Sequence, residues 1–97
     1  MTLQQFLSKN GRADLNAHST ITAHIRQHVQ NIDVLASKEI QDVAYDDIRD
    51  IYMAILLDNY PQRAFWVDDA LNLFIEDAHR IGFSDNEIKH IVDNTGA

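Results

Sequence analysis

The strongest helical pattern of the chain lies in residues 37–59, SKEIQDVAYDDIRDIYMAILLDN. Apolar residues recur there three or four positions apart, which is the spacing of one face of an α-helix. They are Ile40, Val43, Ala44, Ile48, Ile51, Tyr52 and Ile55. Ser37 can cap the start of this helix, and the residue before Pro61 disfavours helical backbone. We therefore expect one long helix that begins after Ser37 and ends at Asp58–Asn59.

Four further helices are expected around this segment. In chain order they run from Thr2 to Gly11, from Ser19 or Thr20 to about Ala36, from about Gln62 to Arg80, and from Ser84 to about Val92. Residues 2–5 and 84–87 have the spacing of a capping box, which marks a helix start. No stretch alternates with a period of two for long enough to form a strand. The sequence therefore predicts an all-α fold: a compact bundle of four main helices plus a short N-terminal helix, in a single domain of residues 1–97.

The composition argues against several classes of function. The 97 residues include no cysteine, which excludes disulfide scaffolds and cysteine-ligated metal sites. The chain has no phosphate-binding glycine loop and no serine nucleophile elbow, so we expect neither enzyme activity nor a cofactor. Its first residues lack the features of a signal peptide, and its longest apolar run, residues 53–57, is too short to cross a bilayer. We expect a soluble, cytoplasmic protein.

The acidic charge is concentrated in one part of the chain. Residues 39–93 contain 13 acidic and four basic residues, a net charge of −9. Residues 1–38 contain two acidic and four basic residues, a net charge of +2. Affinity for nucleic acid comes largely from Lys and Arg contacts to phosphates, so direct binding to nucleic acid is not expected. A folded acidic face instead favours a partner with a basic surface.

Eight carboxylates are the candidate partner-binding residues. They are Asp42, Asp46, Asp47, Asp50, Asp68, Asp69, Glu76 and Asp77. Asp42, Asp46 and Asp50 lie four residues apart on the expected third helix, where like charges cost about 0.2–0.5 kcal/mol per pair. A basic partner would offset that cost. The alternative is an ordinary solvated acidic face.

These features predict a small non-enzymatic binding protein that docks an acidic helical face on a basic surface of a partner protein. The natural targets are proteins that bind nucleic acid, because their surfaces are basic. Inhibitors, immunity proteins and anti-defence proteins of mobile elements share this small size, acidic charge and lack of catalytic motifs. The alternative function is a homo-oligomeric structural or regulatory protein, such as a homodimer, since the expected fourth helix is apolar on several sides.

Two histidines raise the separate possibility of a metal site. His24 and His28 are four residues apart, which is the spacing that two zinc ligands on one helix face require. The glutamate of a zinc-protease motif is missing between them. We therefore assign no metal ligand and keep metal binding through this pair as a minor alternative to a solvated polar edge.

Aromatic residues gather around the turn between the expected third and fourth helices, which should form a hairpin at Tyr60–Pro61. They are Tyr45, Tyr52, Tyr60, Phe65 and Trp66. The first expectation is that they close the core of the hairpin, because aromatic side chains are mostly buried. The second is a patch that anchors a partner, where Trp and Tyr are enriched.

Overall fold

The computed structural model describes residues 1–17, 19–27, 29 and 31–95. This part of the chain forms six α-helices. They are α1 (Leu3–Lys9), α2 (Thr20–Arg26), α3 (Ile32–Ser37), α4 (Tyr45–Asn59), α5 (Val67–Arg80) and α6 (Asp85–Asp93). A 3-10 turn, Ile40–Asp42, precedes α4, and an isolated antiparallel bridge joins Thr2 to Glu39. The all-α prediction is confirmed, although the helices number six rather than four main helices and one short one.

The second expected helix is divided into α2 and α3. Asn31, immediately before α3, has a φ of 55° and a left-handed backbone, which asparagine tolerates better than most residues. The apolar positions of the pattern are nevertheless buried on both sides of this point. Ile25, Val29, Ile32 and Leu35 are all at most 7 % exposed. Periodicity thus identified the buried side chains but not the interruption of the helix.

The third expected helix begins seven residues later than its pattern suggests, at Tyr45 instead of directly after Ser37. The preceding segment pairs with the N-terminus of the chain: Leu3 N–H donates to the Lys38 carbonyl and Ile40 N–H donates to the Met1 carbonyl, at 2.8 and 3.0 Å. The Ser37 hydroxyl donates to carbonyls within α3, so it closes that helix and does not cap α4. Hydrogen bonds to distant residues therefore override the local helical pattern.

The fourth expected helix also starts late, at Val67 rather than near Gln62. Residues 60–66 form the connection from α4. The Trp66 N–H donates to the carboxylate of Asp69 at 2.8 Å, which satisfies a free donor at the start of α5. Val67, the first residue of α5, is 54 % exposed.

Both expected capping boxes are present. At α1, Gln5 N–H donates to the Thr2 hydroxyl while the Gln5 side chain accepts from the Thr2 N–H. At α6, Ser84 and Glu87 make the same reciprocal pair, with distances of 3.0 and 3.2 Å. Gly82, with a φ of 97°, provides the left-handed turn that ends α5.

Helix α4 lies at the centre of the packing and contacts α2, α5 and α6, whereas α1 packs on α3. An aromatic cluster joins α1, α4 and α5. The centroid of the Phe74 ring lies 5.4 Å from that of Phe6 and 5.8 Å from that of Tyr52. The Cα radius of gyration is 12.4 Å, close to the roughly 13 Å of a compact chain of this length. None of the helices in the described part of the chain has the length and apolar character needed to span a bilayer.

Candidate functional site

Carboxylates from two helices meet near the N-terminal half of α4. Asp46 and Asp47 lie in the first turn of α4, Asp50 follows one turn later, and Asp68 lies in the first turn of α5. We call these four residues the acidic cluster. Residues 50 and 67 line the same groove, which brings the start of α5 beside α4. The fold therefore unites carboxylates that are up to 22 positions apart in the chain.

Tyr45 lies near two carboxylates of this cluster, those of Asp46 and Asp68. Burial raises the pKa of Tyr45, the nearby Arg49 lowers it, and the carboxylates of Asp46 and Asp68 raise it further. Asp47 is half-buried, and its pKa is raised first by burial and then by Asp50 and Asp46, with Lys38 opposing them. Asp46, Asp50 and Asp68 thus each act on a neighbouring titratable group through their negative charge.

Arg49 forms ion pairs within the cluster. Its guanidinium lies 3.6 Å from a carboxylate oxygen of Asp46 and 3.3 Å from one of Asp50. The positive end of the α4 dipole also favours Asp46, by about 0.3–1 kcal/mol. The expected repulsion along the helix is therefore offset locally. The repulsion between these carboxylates therefore does not by itself indicate a partner.

Asp42 does not belong to this helix. It ends the 3-10 turn before α4 and borders a separate groove of about 440 Å³, whose other lining residues include Phe83, Glu87 and His90. The expected register of Asp42, Asp46 and Asp50 on one helix face is accordingly wrong, because the helix begins only at Tyr45.

Asp69 has a structural role at the start of α5. Its carboxylate accepts the Trp66 N–H, as described above, and it is only half-exposed. Carboxylates in the first turn of a helix are stabilising in their own right. We leave Asp69 outside the acidic cluster for this reason.

Asp77 is fully buried and lies away from the surface on which it was expected. Two nitrogens of Arg12 donate to its carboxylate oxygens, each at 2.8 Å, and the Tyr52 hydroxyl donates to it at 2.6 Å. Arg80 adds an ion pair at 3.4 Å. A carboxylate that is 0 % exposed cannot contact a partner's surface, so Asp77 belongs to the core.

One sequence signal could have identified Asp77 as buried. It lies three positions after Phe74 and seven after Ala70, on the apolar face of α5. Its partner Arg12 lies 65 positions away, and no sequence spacing indicates that pair.

Glu76 is exposed but faces a different neighbour from the acidic cluster. The hydrogen bond to Asp77 raises the pKa of Arg12, burial lowers it, and the charge of Glu76 is among those that raise it again. Glu76 therefore lies close to Arg12, a residue of the loop that follows α1. It does not belong to the acidic cluster.

The aromatic residues separate into two groups, and the expected burial holds for one of them. Tyr52 is fully buried and half-buried Tyr45 packs on the same ring, Phe74. Tyr60 and Trp66 are instead 55 % and 80 % exposed. The second group lies in the connection between α4 and α5, next to the first turn that carries Asp68.

Among the described residues, no group of three or more His, Asp or Glu side chains is arranged to hold a metal ion. His24 lies in the last turn of α2, and its proposed partner His28 is outside the described residues. His79 contacts the Asp85 carboxylate at 2.8 Å, which joins the end of α5 to the start of α6.

Comparison with known proteins places no constraint on these sites. No protein-family model, no curated protein and no solved structure matches the chain.

Proposed function

We propose that the protein is a non-enzymatic binding protein that docks the acidic cluster on a basic surface of a partner protein. The observation that carries the proposal is the convergence of exposed or half-exposed carboxylates from α4 and α5 at one site. Such a site attracts cationic groups and accelerates their association.

The charge balance of the cluster supports this proposal. In the described part of the chain, Arg49 forms ion pairs with two of these four carboxylates, those of Asp46 and Asp50. Several acidic residues outside the cluster have a cation of their own. Asp33 pairs with Arg26, Asp93 with Lys89, Asp77 with Arg12, and Glu39 with the N-terminal ammonium. The cluster therefore retains an excess of negative charge that a partner can neutralise.

The class of partner follows from that charge. Proteins that bind nucleic acid carry basic surfaces, and an acidic protein that covers such a surface would compete with the nucleic acid. We therefore propose an inhibitor, an immunity protein or an anti-defence protein as the biological role. Acidic carboxylates would then occupy positions that phosphates otherwise take.

The expected apolar docking face of α5 receives less support. Ala70, Phe74 and Ala78 are fully buried by contacts within the chain. The large apolar side chain of α5 that remains exposed is Val67, at its start. Self-association is accordingly retained as an outcome of the test below.

Partner capture at two salt concentrations tests the proposal. The bait variant carries Asp46→Asn, Asp50→Asn and Asp68→Asn. The partner should bind the unchanged protein at about 0.1 M salt and dissociate near 1 M, where the Debye length falls from about 10 to about 3 Å. The triple variant should bind about tenfold more weakly, because each exposed charge pair contributes about 0.2–1 kcal/mol.

A second triple variant serves as the matched control. Asp33→Asn, Asp85→Asn and Asp93→Asn remove three carboxylates that are 73 %, 93 % and 59 % exposed and lie on other helices. This control should retain the partner. Equal capture by both triple variants would refute the proposal, and sedimentation of the bait alone would show whether it binds a second copy of itself.

A further inference from the structure

Trp66 is the most exposed large apolar side chain in the described part of the chain. It is 80 % exposed, and its neighbour Val67 is 54 % exposed. Its backbone is nevertheless held in place, since the Trp66 N–H donates to the carboxylate of Asp69 at 2.8 Å. The start of α5 thus presents an exposed indole ring from a backbone that is held by a hydrogen bond.

A groove of about 430 Å³ begins beside this residue. Its lining comprises Arg49, Asp50, Met53, Ala54, Leu57 and Val67. Four of these six side chains are apolar, and Asp50, which also pairs with Arg49 at 3.3 Å, provides a carboxylate among them. A side chain with an apolar stem and a cationic end suits such a groove, because its stem can cover apolar surface while its charge meets the carboxylate.

The cation that best fits these groups is the guanidinium of arginine. Arginine is more weakly hydrated than lysine, stacks on aromatic faces and forms paired hydrogen bonds with carboxylates. Tryptophan is the strongest of the aromatic residues in such cation–π contacts. The same connection already contains one example, where the guanidinium carbon of Arg63 lies 5.3 Å from the centre of the Phe65 ring.

We infer that Trp66 anchors an arginine side chain of the partner protein, stacking on its guanidinium at the edge of the acidic cluster. This inference rests on the proposed function and adds the identity of the recognised side chain. The cluster supplies the attraction between charges, and Trp66 supplies the preference for arginine over lysine. A partner segment with arginine at this point is held more tightly than the same segment with lysine.

Two synthetic peptides, an oligoarginine and an oligolysine of equal length, are the probes. The chain contains one tryptophan, so the intrinsic tryptophan emission reports the environment of Trp66 alone. Affinity is measured independently by the fluorescence anisotropy of labelled peptide at about 0.1 M salt. We expect both peptides to bind, the arginine peptide about two- to fivefold more tightly, with a change in Trp66 emission.

The variant Trp66→Ala should reduce the ratio of the two affinities, arginine peptide to lysine peptide, to about one. The double variant Asp50→Asn with Asp68→Asn should weaken the binding of both peptides. Val34→Ala removes another exposed apolar side chain, which is 61 % exposed on α3, and should leave the ratio unchanged. Because Trp66 is exposed and its cap uses the backbone, Trp66→Ala should keep the helical circular dichroism of the unchanged protein.

The outcomes separate the two proposals. A preference for arginine that disappears in Trp66→Ala supports the inference. Equal affinities for the two peptides, still weakened by the carboxylate variants, would overturn the role of Trp66 and leave the acidic docking surface intact. If the carboxylate substitutions leave the affinity for both peptides unchanged, both proposals are overturned.

Discussion

The buried carboxylate of Asp77 connects three separate parts of the chain. Its partners are Arg12 in the loop after α1, Tyr52 on α4, and Arg80 one turn further along α5. A buried charge is tolerated only when it is paired and hydrogen-bonded, and this carboxylate meets both conditions. The residue expected to bind a partner is thus one that holds the molecule together.

The substitution Asp77→Asn should lower the free energy of unfolding by about 3 kcal/mol, because removing one member of a buried ion pair leaves the other uncompensated. Urea denaturation followed by circular dichroism measures this change. Glu76→Gln, which removes the neighbouring exposed charge, should stay within about 0.5 kcal/mol of the unchanged protein. Equal effects of the two substitutions would contradict the buried ion pair.

At the level of the helices, side chains close in sequence determine several ends. Ser84 and Glu87 cap the start of α6 reciprocally, and Thr2 and Gln5 do the same for α1. The helix α6 is only nine residues long, and an isolated helix of this length is marginal in water. Its capping box therefore contributes a large share of its local stability.

The substitution Ser84→Ala should cost about 1 kcal/mol of stability, since the Glu87 N–H loses its acceptor. Native-state hydrogen exchange resolves the site of this change, and we expect faster exchange in the first turn of α6. Ser37→Ala provides the comparison, because the Ser37 hydroxyl caps no helix N-terminus. Faster exchange of residues 39–41 in Ser37→Ala would mean that the longer third helix, capped by Ser37, forms in solution.

At the level of the whole molecule, Tyr52 couples folding to alkaline pH. Burial and then the hydrogen bond to Asp77 raise the pKa of Tyr52 far above its usual value. In the unfolded chain the pKa is about 10. The neutral hydroxyl therefore contributes its full stabilisation below about pH 10, and that stabilisation falls by about 1.4 kcal/mol per pH unit as the pH rises further.

Tyr52→Phe removes this ionisation together with the hydrogen bond. At neutral pH the variant should be less stable by about 1.5 kcal/mol. Above about pH 10 its free energy of unfolding should fall less steeply than that of the unchanged protein, by about 1.4 kcal/mol per pH unit. Urea titrations across this range measure both quantities. Tyr60→Phe, at an exposed tyrosine, should change the neutral-pH value by no more than about 0.5 kcal/mol.

Parallel curves for Tyr52→Phe and the unchanged protein above about pH 10 would show that the Tyr52 hydroxyl is not buried against Asp77 in solution.

The local pattern of residues was sufficient for the all-α class, for both capping boxes and for many of the buried positions. These features depend on groups within about four residues of one another, whose spacing follows directly from helix geometry. The exposed carboxylates of α4 were likewise identifiable, since charge at helical spacing marks a polar face. Their meeting with Asp68 was not, because it depends on how α5 lies against α4.

Contacts between distant residues determined the rest. The Tyr45 N–H donates to the carbonyl of Asn94 at 2.6 Å, and the Asn94 amide donates to the carbonyl of Val43, which holds the chain extended just before α4. Asp77 is buried because Arg12 reaches it across the fold. A hydrogen bond or ion pair of this kind leaves no periodic trace in the sequence, since its two groups become neighbours only after the helices have packed.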